Sequence, residues 1–450
     1  MTFHSKPMTR RDAVKTLGAM GMAAGVAPSS WGQSRKPNFV IIYADDLGYG
    51  DLSCYGSETI ETPNLDQMAA EGLKFESFYV CAAVCTPSRA GLLTGRQPMR
   101  SGMTRVLFPF SEEGLSQSEI TLAEALKKEG YATACIGKWH LGHLPPYLPT
   151  RHGFDYYYGV PYSNDMNVER RGDPPIPLMR NEEIIEQPAH QATLTKRYAQ
   201  EAAQFIREHK DEPFFLYVPH TMPHIPLFVS DEFKGVSEGG LYGDVIEEID
   251  WSVGQILDEI KAQGLDEDTL VIFSSDNGPW LVMDERGGSS GKLRHGKGTV
   301  FEGGVRVPCV MRWPGKIEAG RVTNEPAITF DLFPTLVALA GGEMPDDREY
   351  DGYDIRPLIF GTGERPDEEF YFFRGRDLRA HRSGKWKVKK PFDGNVYGEP
   401  LQHDWLLFNL EEDPYEQNNL AEEHPEILSR MQDKMERYVA SLGDLPPEKR

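Results

Sequence analysis

Two adjacent carboxylates, Asp45 and Asp46, close one apolar run, and an Asp276–Asn277 pair closes another. Four hard oxygen donors of this kind suit Ca²⁺ or Mg²⁺ rather than zinc. The stretch "DDLGYGD" alone reads as an acidic turn; with "SDNG" at a second strand end it reads as half of a metal site. An extended backbone would point Asp45 and Asp46 opposite ways, so the chain must turn there, and Gly48 and Gly50 permit it. A basic set accompanies the acids: Arg89, Lys138 and Lys297, with His140 and His220 or His224. Forked guanidinium donors and point-charge ammoniums would hold a compact tetrahedral oxyanion beside the metal. His140, His143 and His152 lie close enough to raise zinc, but no HExxH or paired CxxC accompanies them.

Cys81 and Cys85 stand four apart in "CAAVCTPSRAGLLTGR". That spacing fits a metal site, a disulfide or a nucleophile. Pro87 biases Thr86 away from helix, so the helix is expected to begin near Pro87 or Ser88. Cys85 then precedes a helix N-terminus, whose dipole favours a developing anion. The chain has five cysteines, so at least one is unpaired or chemically special. "GKLRHGKG" (291–298) is not a phosphate-binding P-loop: Gly298 stands where Ser or Thr is needed and no strand precedes it. It reads instead as a loop delivering Lys297 and His295.

These groups need a scaffold that brings strand ends together. "NFVIIYA", "YATACIG", "PFFLYVPH" and "DTLVIFSS" are short apolar runs of the kind buried on both faces of a parallel sheet. Helical patterns alternate with them: 62–72 with Thr62 as N-cap and Pro63 first, 118–130, 193–210, 243–263 and a segment ending at Gly341. The expected fold is α/β, a large mostly parallel sheet sandwiched by helices. Sites in such sheets gather outside the carboxyl ends of the strands. After about residue 360 the pattern changes to antiparallel strands and a closing amphipathic helix. The expected organisation is an export signal and linker over 1–34, a catalytic domain over 35–360 and a smaller α+β subdomain over 361–450.

The 450-residue chain is 39% hydrophobic and 26% charged, with net charge −21. That balance argues against nucleic acid or anionic membrane as a partner, yet a local basic pocket can still take an anionic small substrate. No apolar run reaches transmembrane length. Arg10 and Arg11 precede a weakly apolar Ala/Gly/Met stretch, which reads as a twin-arginine export signal toward a bacterial periplasm or beyond.

"CTPSRAGLLTGR" resembles the signature of the formylglycine-dependent type I sulfatases, arylsulfatase A-like branch, in the alkaline phosphatase superfamily. "PNFVIIYADDLGYGD", "GKWHLG", "HGFDYYYGVPYSND", "PHIPLFVS", "SDNG", "GKGTVFEGGVRVPCVMRWPG" and "LFNLEEDPYEQNNLA" follow the family's order over nearly the whole chain. The resemblance implies a sulfuric ester hydrolase. Cys85 would be oxidised to Cα-formylglycine by a maturation enzyme that reads Cys85, Pro87, Ser88 and Arg89, and a covalent sulfo-enzyme intermediate would follow. Asp45, Asp46, Asp276 and Asn277, with residue 85, match the ligands of Ca²⁺, with Mg²⁺ as the alternative. Arg89, Lys138 and His140 match groups that hold and activate the formylglycine hydrate. Lys297 matches the sulfate-binding lysine. "HIPL" selects His224 over His220 as the acid on the leaving group, and Ser163 resembles a sulfate-contacting serine. The expected partner is a sulfated small molecule or glycan. Phosphate or phosphonate ester hydrolysis in the same cradle, and glycan binding without catalysis, remain as alternatives. Substrate walls are expected from Tyr156–Tyr162, Trp280–Met283 and "RGRDLRAHRSGKW" (374–386), with Arg379 and His381 facing an anionic sugar.

Overall fold

A computed structural model describes residues 35–167 and 171–449. The twin-arginine segment therefore lies outside the described residues. In chain order the elements are β1 (Asn38–Ala44), α1 (Pro63–Ala70), β2 (Leu73–Tyr79), α2 (Cys85–Thr94), α3 (Leu122–Lys128), β3 (Ala132–Ile136), β4 (Tyr156–Gly159), β5 (Leu178–Arg180) and β6 (Glu183–Glu186). Next come α4 (Leu194–Glu208), β7 (Phe214–Pro219), α5 (Gly240–Ala262), β8 (Thr269–Ser275), α6 (Glu302–Val305), β9 (Arg306–Arg312), β10 (Arg321–Thr323), β11 (Ala327–Ile328), α7 (Leu332–Leu339) and α8 (Arg356–Ile359). The C-terminal part holds β12 (Glu369–Arg374), β13 (Asp377–Ser383), β14 (Trp386–Lys389), β15 (Phe392–Val396), β16 (Glu399–His403), β17 (Leu406–Asn409) and α9 (Pro425–Ser441).

The large sheet runs β10-β2-β9-β8-β1-β7-β3-β4-β5-β6, with β11 also on β2. Its centre, β8-β1-β7-β3-β4, is parallel throughout, while β9 pairs antiparallel with both β2 and β8. Alternation along β1 divides the core. Phe39, Ile41 and Tyr43 pack with Leu92, Leu126 and Leu336 from α2, α3 and α7. Val40, Ile42 and Ala44 pack with Leu65, Phe205 and Ile249 from α1, α4 and α5. Both faces are thus covered by helices, which is why β1 reads as an unbroken apolar run.

The C-terminal strands form an antiparallel sheet, β12-β13-β14-β17, and a separate β15–β16 hairpin. "DLRAHRSGKWKVKK" forms two antiparallel strands, β13 and β14, split at Gly384, whose φ of 55° supplies the turn. Phe370, Phe372 and Ala380 join the same core as Phe39, and Lys36–Arg450 folds as one compact unit.

Candidate active site

The four strands whose ends carry the polar residues, β8, β1, β7 and β3, are consecutive in the sheet. Their carboxyl ends are tied together by backbone. Asp276 N donates to Ala44 O at 3.1 Å, His220 N to Tyr43 O at 2.8 Å and Lys138 N to Pro219 O at 2.6 Å. Gly137 makes the last contact feasible, since a Cβ there would sit 1.9 Å from Pro219 O. The turn after β1 falls on Asp46 itself, at φ 66°, rather than on Gly48 or Gly50. Aspartate tolerates this left-handed conformation better than most residues. His140 sits in the same region at φ 59°.

Helix α2 begins at Cys85 itself, earlier than expected. Pro87 falls in the first turn, where its missing amide has no helical partner to lose. Thr86 is held there by donating to His140 O at 2.9 Å. Cys85 is therefore the first helical residue, at the positive end of the helix. Its Sγ lies 3.4 Å from Asp45 Oδ1. Burial pushes the thiol well above its ordinary range, although Lys138 opposes this.

Around Cys85 the acids and bases interlock. Lys138 Nζ donates to Asp45 Oδ2 at 2.5 Å and to Ser163 Oγ at 3.1 Å. Lys297 Nζ donates to Asp46 Oδ2 at 2.6 Å. Arg89 donates to Asp276 Oδ2 through Nε at 3.0 Å and Nη2 at 2.8 Å, and through Nη1 to Lys138 O at 2.9 Å. Asn277 Nδ2 donates to Asp46 Oδ1 at 2.7 Å. His224 Nε2 lies 3.5 Å from Asp46 Oδ2, and its Nδ1 lies 2.6 Å from Ile225 O. All of these side chains are buried.

The cluster suits a divalent cation. Ligand atoms of Asp45, Asp46, Cys85 and Asp276 all lie within 4.8 Å of one another. Asn277 Oδ1 is buried without a hydrogen-bond partner among the described residues. Burial and the neighbouring Asp45 charge push the Asp276 carboxyl up to about 7. An orphaned oxygen and mutually repelling carboxylates are what a hard cation satisfies. Burial works to raise Asp45 as well, but Lys138, then His224, Arg89 and Lys297, hold it well below the usual range. Burial lowers both imidazoles, aided by Lys297 at His224 and Lys138 at His140.

Comparison with known proteins decides the family. The sulfatase family profile matches residues 37–342, more than half of the chain. The chain belongs to the sulfatase family. A second profile, N-sulphoglucosamine sulphohydrolase C-terminal, matches residues 294–441. This sulfatase is 42% identical to human arylsulfatase A over 455 residues, spanning 92% of this chain and 88% of that protein. It is 42% identical to rat N-acetylgalactosamine-6-sulfatase over 392 residues, spanning 83% and 74% respectively. The solved PsFucS1 sulfatase from Pseudoalteromonas sp. superposes with a TM-score of 0.84 at 29% identity, covering 92% of each chain. The protein is thus an enzyme that hydrolyses sulfate esters.

The sulfatase gathers Asp45, Asp46, Cys85, Arg89, Lys138, Ser163, His224, Asp276, Asn277 and Lys297 at one point. His140 joins through Thr86, with Nε2 2.9 Å from Leu107 O. Three other expectations are corrected. His295 pairs with Glu399 and packs at a tilt against Phe301 instead of entering the site. His381 is wholly buried, 2.5 Å from Glu369 and stacked on Tyr371, so it faces no sugar. Tyr156 turns its hydroxyl to Glu201, away from the cluster. His143 and His152 join no metal cluster among the described residues, and all five cysteines are free.

Trp280 stands where expected: its ring lies 5.9 Å from His224 and 4.7 Å from Lys297 Nζ. Tyr397 is the residue that the sequence reading missed. It sits at the tip of the β15–β16 hairpin, edge-on to Trp280 at 6.0 Å, and its carbonyl accepts from Trp280 Nε1 at 3.0 Å. The available signal was "VYGE", a two-residue turn with Tyr397 and Gly398 both at positive φ.

Proposed function

We propose that this sulfatase cleaves aryl or carbohydrate sulfate esters at residue 85, with Cys85 converted to Cα-formylglycine. Asp45, Asp46, Asp276, Asn277 and the converted residue 85 would hold Ca²⁺, with Mg²⁺ as the alternative. The observation that carries the reading is a buried Cys85 at the start of α2, ringed by three carboxylates, an orphaned amide oxygen and two lysines. A hydrated aldehyde there would supply one hydroxyl to attack sulfur and a second whose deprotonation expels sulfate, and the cation would polarise the sulfuryl oxygens.

The remaining roles fall to this chain's own groups. Lys138 and Lys297 offset charge that develops on the sulfuryl oxygens, and Ser163 steers the Lys138 amine. Arg89 clamps Asp276 and the loop after β3. The Ile225 carbonyl fixes the proton of His224 on Nδ1, so Nε2 is the atom that can carry a second proton to the leaving oxygen. His140 has the opposite arrangement: the Leu107 carbonyl fixes Nε2–H, and Nδ1, without a partner among the described residues, is the basic atom. A maturation enzyme acting on the Cys85–Arg89 stretch and export through the twin-arginine segment complete the proposal.

Turnover of 4-nitrophenyl sulfate against 4-nitrophenyl phosphate tests the reaction class, with and without stringent removal of divalent cations. Sulfate should be the preferred substrate, and activity should collapse on chelation and return with Ca²⁺. Preference for phosphate would overturn the sulfate reading. Full activity after complete calcium removal would sink the metal assignment.

A further inference from the structure

Lys297 reaches the site on a segment gripped by the C-terminal hairpin. Lys297 N donates to Pro279 O at 2.8 Å and Gly298 N to Ala83 O at 2.8 Å, so the backbone is pinned from two sides. The tip of the β15–β16 hairpin covers a third. Gly298 has a φ of 80°, and a Cβ there would sit 2.3 Å from Tyr397 Cδ2 and 2.9 Å from Val396 Cγ1. Two residues before Lys297, His295 pairs with Glu399 of β16. The tip itself is closed by Gly398 N, which donates to Asn395 Oδ1 at 2.9 Å.

The side chain is enclosed as closely as the backbone. The Lys297 ammonium donates to Asp46 Oδ2 and lies over two aromatic rings, 4.7 Å from the centre of Trp280 and 5.8 Å from that of Tyr397. The rings meet edge to face at 6.0 Å, and the Tyr397 carbonyl accepts the Trp280 Nε1 proton at 3.0 Å. Each ring therefore fixes the other. Lys297 is only 6% exposed, and an aromatic face attracts an ammonium most strongly when water is kept away. A lysine stem is flexible and its ammonium is a point charge, so its aim depends on what surrounds it. An arriving sulfate competes with Asp46 for this ammonium. The two rings hold it in place without offering a rival anion.

We infer that Tyr397 is a positioning residue for Lys297: together with Trp280 it fixes the ammonium where a sulfuryl oxygen must arrive, so that the C-terminal hairpin sets the strength of the sulfate contact. The inference rests on the role given to Lys297 above. Tyr397 acts through the lysine, so its contribution vanishes when the lysine is removed. The ring carries the effect and the hydroxyl does not, because the contact with the ammonium and the packing on Gly298 both belong to the ring. A purely structural role in seating the hairpin would persist whether or not the lysine is present.

Equilibrium dialysis against radiolabelled inorganic sulfate tests this without requiring turnover. Tyr397→Ala and, separately, Trp280→Leu should each weaken sulfate binding about three- to thirtyfold, the span of a shielded cation–π contact. Tyr397→Phe, which keeps the ring, should restore binding to within about twofold of the unaltered protein. In a Lys297→Met background, adding Tyr397→Ala should cost less than about twofold more, because the interaction it removes is already gone. Unchanged sulfate binding by Tyr397→Ala, or the same loss with and without the lysine, would overturn the inference. The two roles separate on Lys297→Met itself. If that variant weakens sulfate binding and Tyr397→Ala does not, only the positioning role of Tyr397 falls. If Lys297→Met leaves binding unchanged, the sulfate-binding role of Lys297 falls, and the inference with it.

Discussion

Cys85 and its neighbours show how much position adds to residue type. A thiol this deeply buried is a poor thiolate, and PSR-type spacing alone cannot say where it points. Its placement at the start of α2 depends on small residues beneath it. A Cβ on Gly91 would sit 2.2 Å from Cys81 Sγ. Cys81 is thus a packing residue, buried under the helix that carries Cys85. Gly91→Ala should cost about 1–3 kcal/mol of stability by overpacking. Adding Cys81→Ala should restore most of the loss, because the clashing atom is gone. Thermal denaturation of the two single variants and the double variant checks this; additive losses would refute the contact as the cause. The residues that gather at the site were legible because oxygen donors and bases at strand ends are unusual together. The turn at Asp46 was not, since its left-handed backbone is enforced by tertiary contacts rather than by a glycine.

Elements were legible where local chemistry decides them. Thr121 and Glu124 form a reciprocal capping box at the start of α3, which therefore begins at Leu122 and not near Ser118. Helix α1 begins at Pro63 as expected, but Thr62 does not cap it. The Asp250 carboxylate, from α5, accepts Asn64 N at 3.1 Å and Leu65 N at 2.8 Å instead. No local pattern announces a cap 186 residues away. The β15–β16 hairpin was missed for a related reason: its short exposed strands lack apolar alternation, yet its tip brings Tyr397 to Trp280 and Lys297. The aromatic surface beside Lys297 was thus the least legible part of the site.

At the scale of the whole molecule, the C-terminal sheet is fastened to the large sheet through buried charge. Lys387, from β14, donates to Glu302 Oε1 at 2.7 Å and lies 3.0 Å from Glu416. Arg382 donates to the Tyr79 hydroxyl, which in turn donates to Glu302 Oε2 at 2.7 Å. Burial acts to raise the Glu302 carboxyl, but Lys387, Arg306 and Arg382 hold it at about 2. In an unfolded chain a glutamate titrates at about 4.3. A depressed carboxyl contributes its stability fully above the unfolded value and loses it as pH falls toward the folded one. The denaturation midpoint should therefore drop between about pH 4.5 and 2, and Glu302→Gln should flatten that segment. An identical acid slope in the variant would contradict this account of the fastening.

The central claim is that hydrolysis runs through a converted Cys85. Mass spectrometry of the peptide containing Cys85, taken from enzyme whose turnover has been measured in the same preparation, tests it directly. The expected result is replacement of the thiol by an aldehyde or its hydrate, in a fraction that rises and falls with specific activity. Fully active enzyme carrying only the unmodified thiol would contradict it.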